Sequence, residues 1–315
     1  MVCDKYGFTV NTLTMCPSFT AVYESETDVK KGMTNMCAGA GLCKPADGVA
    51  VSDFLSSMGV MTNAFGFCGG LLGKYLRDFL KSRDVGCHFI ETSTPTPVKT
   101  AVSEDNSVTV FEMRETRTVS IKEILALTKL MRETEPKPEY FVLSGAYPDD
   151  LEVGTYCDII KMLTSSGIKT VTDFSGADMR LSFREKPFIV VMGYEELYDY
   201  LFEKVETLAE ALSAVKRITK ETGATVLCTL GKKGNIYSSP DVMCFAAVKR
   251  SKNESIYCRS ALIAAFLKAY EFSGENVQYA LQYATAYSSA VNGKGDIPNT
   301  DDVKKNLSNV DFRTY

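Results

Sequence analysis

The chain has 315 residues, enough to bury a sizeable core, and length alone allows one large α/β domain or two smaller ones. A formal charge of −4 and a pI near 5.4, with Lys and Arg confined to short groups such as Lys249-Arg250-Ser251-Lys252, argue against a nucleic-acid partner. No apolar run approaches the ~20 residues that cross a bilayer, and Met1-Val2-Cys3-Asp4-Lys5 lacks the regions of a signal peptide; the expectation is a cytoplasmic protein with no membrane partner. His88 is the only histidine, which excludes a His-containing zinc cluster, and the ten cysteines lack CxxC spacing and read as buried reduced thiols.

Apolar β runs alternate with amphipathic helices, the pattern of a mainly parallel sheet covered on both faces. Phe8 to Leu13 reads as a first strand, Val49 to Met58 as a helix stopped by Gly59, and Met61 to Phe67 as a strand that turns at Cys68-Gly69-Gly70 into the helix Gly73 to Arg83. From His88 to Met113 the period becomes alternating, with Val98 to Val102 and Val108 to Phe111 predicting an antiparallel hairpin. The α/β rhythm then resumes: helix Ile121 to Glu133, strand Tyr140 to Leu143, helix Thr155 to Ser165 and strand Lys169 to Asp173. It continues with strand Phe188 to Val191, helices Tyr194 to Phe202 and Leu208 to Glu221, and strand Thr225 to Thr229. Antiparallel strands flank Ser238-Ser239-Pro240-Asp241, and two helices, Ala261 to Phe272 and Asn276 to Val291, close the fold. The reading is a single domain over 1–315, with small lid segments at about 20–46 and 88–113.

Four short motifs occur in order: Gly66-Phe67-Cys68-Gly69-Gly70-Leu71-Leu72-Gly73, Ser144-Gly145-Ala146-Tyr147-Pro148, Asp173-Phe174-Ser175-Gly176 and Thr229-Leu230-Gly231-Lys232-Lys233-Gly234. Together they resemble the GFxGGxxG, SGSLP, DTSG and SLGxxG motifs of the ribokinase (PfkB-type) sugar kinases, closest in layout to the 1-phosphofructokinase and tagatose-6-phosphate kinase branch. The resemblance covers nearly the whole chain. It implies a three-layer αβα sandwich with a mainly parallel central sheet and a small β-strand lid.

In that family a G-A-G-D segment opens a helix whose backbone N–H groups hold the developing phosphate charge, while its aspartate takes the proton from the sugar hydroxyl. Anchored on Ala265-Phe266-Leu267, the matching residues are Tyr257-Cys258-Arg259-Ser260, so Ser260 occupies the aspartate position and Arg259 a glycine position. A serine hydroxyl has no useful proton affinity near neutral pH, and Tyr and Arg resist conformations that glycine permits. Arg259 reads either as an anion-binding guanidinium or as a helix-start arginine facing solvent or a partner.

The substrate side departs as well. The TLNPSID motif corresponds to Thr14 to Thr20, with Cys16 for the asparagine and Thr20 for the aspartate. The GGKGxN loop becomes Pro45-Ala46-Asp47-Gly48-Val49-Ala50, where Asp47 puts a negative charge in place of a lysine and disfavours an anionic substrate. T-R-x-N becomes Thr96-Pro97-Val98-Lys99, leaving Lys99 as a partial substitute for the arginine. K-P-N-x-x-E becomes Val191 to Glu196, with Gly193 for the asparagine; Glu196 reads as a helix-dipole partner or as the remnant of a Mg²⁺ site.

With four sites altered, the expectation is a catalytically inactive member of this fold serving as a scaffold or structural component of a larger intracellular or cytoskeletal assembly. It would bind protein partners or pair with itself through the lid strands. Tyr147, Tyr194, Tyr198, Tyr200 and Tyr257 are candidate interface aromatics or half-buried core residues. The alternative is an ATP-dependent sugar or sugar-phosphate kinase whose base is a carboxylate from elsewhere, Asp47 or Glu254. A third reading is a nucleotide sensor in which Thr229, Gly231 and Gly234, with Glu196, still hold Mg-ATP without turnover. No metal site is expected on confident grounds.

Overall fold

The computed structural model describes residues 7–25, 28–104, 107–112, 118–146, 148, 151–249 and 255–315. Its strands are β1 (Thr9–Thr14), β2 (Phe19–Ser25), β3 (Cys37–Pro45), β4 (Met61–Cys68), β5 (Gly86–Glu91), β6 (Val98–Glu104), β7 (Ser107–Phe111), β8 (Tyr140–Ser144), β9 (Lys169–Asp173), β10 (Ile189–Met192), β11 (Val226–Thr229), β12 (Asn235–Ser238), β13 (Met243–Val248) and β14 (Val310–Thr314). The helices are α1 (Asp47–Ser57), α2 (Gly70–Ser82), α3 (Ile121–Glu133), α4 (Thr155–Ser165), α5 (Gly176–Ser182), α6 (Tyr194–Leu201), α7 (Leu208–Thr222), α8 (Cys258–Phe272), α9 (Val277–Ser288) and α10 (Thr300–Leu307).

Ten strands form one sheet in the order β14-β13-β12-β11-β10-β9-β8-β1-β4-β5. Pairing is parallel from β5 across to β11 and antiparallel from β11 to β14. The fold is therefore the α/β sandwich that the sequence implies. Strands β8 and β10 are apolar on both faces because both faces are covered, and alternate residues enter opposite cores. Tyr140 and Val142 of β8 and Ile189 and Val191 of β10 join the core made with α1, α8 and α9. Phe141 and Leu143 of β8 and Val190 and Met192 of β10 join the core made with α3 to α7.

Four strands form the second sheet, β3-β2-β6-β7. The antiparallel pairing read from His88 onward begins instead at Val98: Gly86–Glu91 pair parallel with β4 in the large sheet, and His88 stacks on Phe65 at 4.8 Å. The small sheet is mixed, since β2 pairs antiparallel with β3 but parallel with β6. Nor do two helices close the fold, because α10 and β14 follow them and β14 extends the large sheet beside β13. Cys16, Cys68, Cys228 and Cys244 are buried thiols, whereas Cys37, Cys87, Cys157 and Cys258 reach the surface in part. Among the described residues no helix is long and apolar enough to cross a membrane.

Candidate active site

Open α/β sheets bind ligands where the carboxyl ends of the parallel strands meet the amino ends of helices. Two cavities lie at that edge. The larger, about 630 Å³, is lined by residues that include Asp47, Lys99, Glu112, Gly145, Asp173 and Glu196. The smaller, about 150 Å³, is lined by Thr229, Gly231, Gly234, Asn235, Ser288 and their neighbours. Arg259, in the first turn of α8, lines both.

The helix start that carries the largest sequence departures is held by new contacts. Tyr257 is fully buried and its hydroxyl donates to the Lys44 carbonyl at 2.8 Å, which removes it from the exposed interface aromatics. Tyr194 and Tyr200 pack partly buried against the core, Tyr198 is exposed, and Tyr147 lies outside the described residues. Arg259 turns inward onto two carboxylates, with 27% of its side chain exposed. Its Nε donates to Asp173 Oδ1 at 2.5 Å, Nη1 to Glu196 Oε1 at 3.0 Å and Nη2 to the Val191 carbonyl at 3.2 Å. Burial alone would lower the guanidinium's affinity for its proton, but the two carboxylates outweigh it and hold Arg259 charged, above its ordinary value. Burial also raises the Asp173 carboxyl, against the pull of Arg259 and of the Ser144 hydroxyl, which donates to Asp173 Oδ2 at 2.7 Å.

Ser260 is buried and donates from Oγ to the main-chain carbonyl of Asp47 at 3.1 Å. The position that lacks an aspartate thus adjoins the main chain of Asp47. Asp47 begins α1 with a φ of 56°, and its side chain lines the larger cavity. Its Oδ2 is buried with no hydrogen-bond partner, and the Lys99 ammonium stands 3.8 Å away. Lys99 also pairs with Glu112 at 2.6 Å; burial opposes its charge, yet Asp47 and Glu112 keep its ammonium above the ordinary lysine value. Thr20 is beside Lys99 in register across β2 and β6, but it is fully buried and does not line the cavity. Gly48 is buried in the first turn of α1, and Glu254 lies outside the described residues.

On the other side, Thr229, Gly231 and Gly234 come together around the smaller cavity. Gly234 has a φ of +115°, and a Cβ there would stand 2.6 Å from the Ala246 carbonyl, so the turn after β11 requires glycine. Glu196 is not with them but in the wall of the larger cavity. Its Oε2 accepts the Gly193 N–H at 2.7 Å and its Oε1 is held by Arg259, so both oxygens are engaged. Among the described residues no group of three or more His, Cys, Asp or Glu side chains could hold a metal ion.

Sequence motifs led to Arg259, Ser260 and Asp47 separately but not to Asp173 and Glu112, the partners that organise the two cations. Asp173 stood in a strand-end motif without a role, and only its charge, opposite to that of Arg259, could have linked the two.

The pfkB family carbohydrate kinase model matches residues 47–297. The chain is 25% identical over 265 residues to a 1-phosphofructokinase of Borreliella burgdorferi, covering 84% of this chain and 85% of that protein. It is 27% identical over 235 residues to a tagatose-6-phosphate kinase of Staphylococcus epidermidis, covering 71% and 72%. Phosphofructokinase-2 of Escherichia coli, solved in complex with substrates and products, has the same fold, with a TM-score of 0.83 at 18% identity over 95% of this chain and 98% of that one. The similarity to kinases over most of the chain overturns the expectation of a catalytically inactive scaffold. Residues missing from single motif positions were read there as lost chemistry, whereas the main chain of Asp47 adjoins Ser260 and the Asp47 side chain lines the larger cavity with Arg259.

Proposed function

The chain belongs to the pfkB family of carbohydrate kinases, and on that premise we propose that it is an active ATP-dependent carbohydrate kinase with an altered active site. The observation that supports this most directly is the placement of Asp47, a carboxylate on the cavity wall beside Lys99, whose main-chain carbonyl takes the hydroxyl of Ser260. A carboxylate can take the proton that an attacking hydroxyl releases; a serine cannot.

The acceptor binds in the larger cavity, beside Asp47 and Lys99, and ATP enters with its own Mg²⁺ on the side of Thr229, Gly231 and Gly234. The acceptor oxygen forms a bond to the γ-phosphorus as its proton passes to the Asp47 carboxylate, and the bond from the γ-phosphorus to the β,γ-bridging oxygen breaks to release ADP. Arg259, at the junction of the cavities, has N–H groups beyond the three bonded to Asp173, Glu196 and Val191, and these can meet the phosphoryl oxygens in transit. The helix start adds its positive end.

The test is ADP release across a panel of sugars and sugar phosphates, for the native chain and for Asp47→Asn. Asparagine tolerates the left-handed backbone at this position, so the variant changes the carboxylate and not the turn. The expected loss in kcat is ~10²–10⁴-fold with an unchanged melting temperature. Full turnover by the variant would remove Asp47 from the role of base, and no ADP from the native chain with any acceptor would remove the kinase reading.

A further inference from the structure

The charges around the larger cavity do not balance. Among the described residues, Asp47, Glu112, Asp173, Glu195 and Glu196 line it together with two cations, Lys99 and Arg259. Both cations are already engaged by carboxylates of the same wall, Lys99 by Glu112 at 2.6 Å and Asp47 at 3.8 Å, Arg259 by Asp173 and Glu196. A phosphate ester would bring close to two further negative charges into this wall and would find neither cation unpaired. An uncharged polyol meets the opposite situation. Its hydroxyls donate to carboxylates, which only accept, and the Asp47 side chain, 26% exposed, lines the wall. Leu151, Val153 and Phe174 line the same cavity and offer apolar surface to C–H faces.

We propose that the acceptor is an uncharged polyhydroxy compound, a free sugar or polyol, and that the cavity discriminates against its phosphate esters. The inference rests on the kinase reading for the identity of this cavity as the acceptor site, and it separates the chain from the sugar-phosphate kinases whose names its relatives carry.

Binding is measured without turnover, by calorimetry at fixed ionic strength, for fructose, tagatose, ribose, glucose and sorbitol against fructose 1-phosphate, fructose 6-phosphate and tagatose 6-phosphate. At least one neutral compound is expected to bind at least ~10-fold more tightly than its phosphate ester. Glu112→Gln, which releases Lys99 and removes one negative charge, is expected to narrow that ratio at least ~3-fold by strengthening the ester. Tighter binding of an ester, no binding by any neutral compound, or a ratio unmoved by Glu112→Gln would each overturn the proposal. ADP release measured alongside separates the two readings: ADP formed preferentially from esters leaves the kinase standing and ends this inference. Preferential binding of a neutral compound with no ADP supports the specificity of the cavity and ends the kinase reading.

Discussion

Gly145 packs directly against Asp47. A Cβ built on its backbone would stand 3.0 Å from the Cβ, Cγ and Oδ2 of Asp47, and Gly145 holds a φ of +88°. Gly145→Ala therefore acts twice, straining the backbone by about 1–3 kcal/mol and pushing the carboxylate from its position. Misplacement by a fraction of an ångström to one ångström is expected to lower kcat by about 10- to 100-fold, with the KM for ATP changed less than about two-fold. Steady-state kinetics with both substrates varied check this; a variant that loses stability but keeps kcat would dissociate Gly145 from Asp47.

Arg259 offers a stability prediction. Arg259→Met leaves Asp173 and Glu196, which are 7% and 11% exposed, without their shared cation. The expected loss is about 2–4 kcal/mol, toward the lower end because the arginine side chain is itself 27% exposed. Adding Asp173→Asn and Glu196→Gln should recover much of it, since neutral amides do not repel. Urea unfolding midpoints of the single and triple variants decide, and an Arg259→Met midpoint equal to that of the native chain would show the triad to be energetically idle.

His88 sets a pH dependence. Burial lowers its pKa from the ordinary 6.5. As pH falls through about 6.5 the unfolded chain therefore takes up the proton before the folded one does, and stability falls until the folded imidazole is also charged. Above that window His88 contributes no slope. His88→Gln should show a smaller drop in melting temperature between pH 8 and pH 5.5 than the native chain, and equal drops would assign the acid sensitivity to other groups.

Cys157, half-buried on α4, has its thiol pushed up to about 11, by burial first and then by the carboxylates of Asp178, Glu185 and Asp158. At pH 8 its thiolate is on the order of 10⁻³ of the total, against about a quarter for an ordinary cysteine of pKa 8.5. The more basic thiolate is a better nucleophile, so the net expectation is alkylation about 20-fold slower than in an unstructured peptide. Mass-spectrometric labelling rates resolved by peptide test it; a Cys157 that alkylates at the peptide rate would contradict the environment described.

The parallel core was legible in the sequence because strands covered on both faces tend to read as near-continuous apolar runs, as in Tyr140-Phe141-Val142-Leu143. The order of the motifs carried the family. The lid was legible only in part: the pairing of β2 with β6 joins residues about 80 apart in sequence, which no local period records. β14 was missed because Val310-Asp311-Phe312-Arg313-Thr314 is an exposed edge strand with little burial to shape its composition. The site was misread for a related reason. Ser260 and Asp47 are 213 residues apart, and Arg259 and Asp173 are 86 apart, so a motif read position by position sees an aspartate lost and a glycine replaced. It does not see the neighbours that change what those losses mean.

The ion triad also constrains how this sequence can change. Asp173, Arg259 and Glu196 lie on three different elements, and Arg259 bridges the two acids. A glycine at 259 would strand two acids, while neutral residues at 173 and 196 would strand a guanidinium, so the effect of any one replacement depends on whether the others have come first. A return to the glycine-rich form of this turn is therefore not a single-step path. The three positions are epistatically locked, and substitutions among them are expected to appear together or in an order that relieves the acids before the arginine is lost.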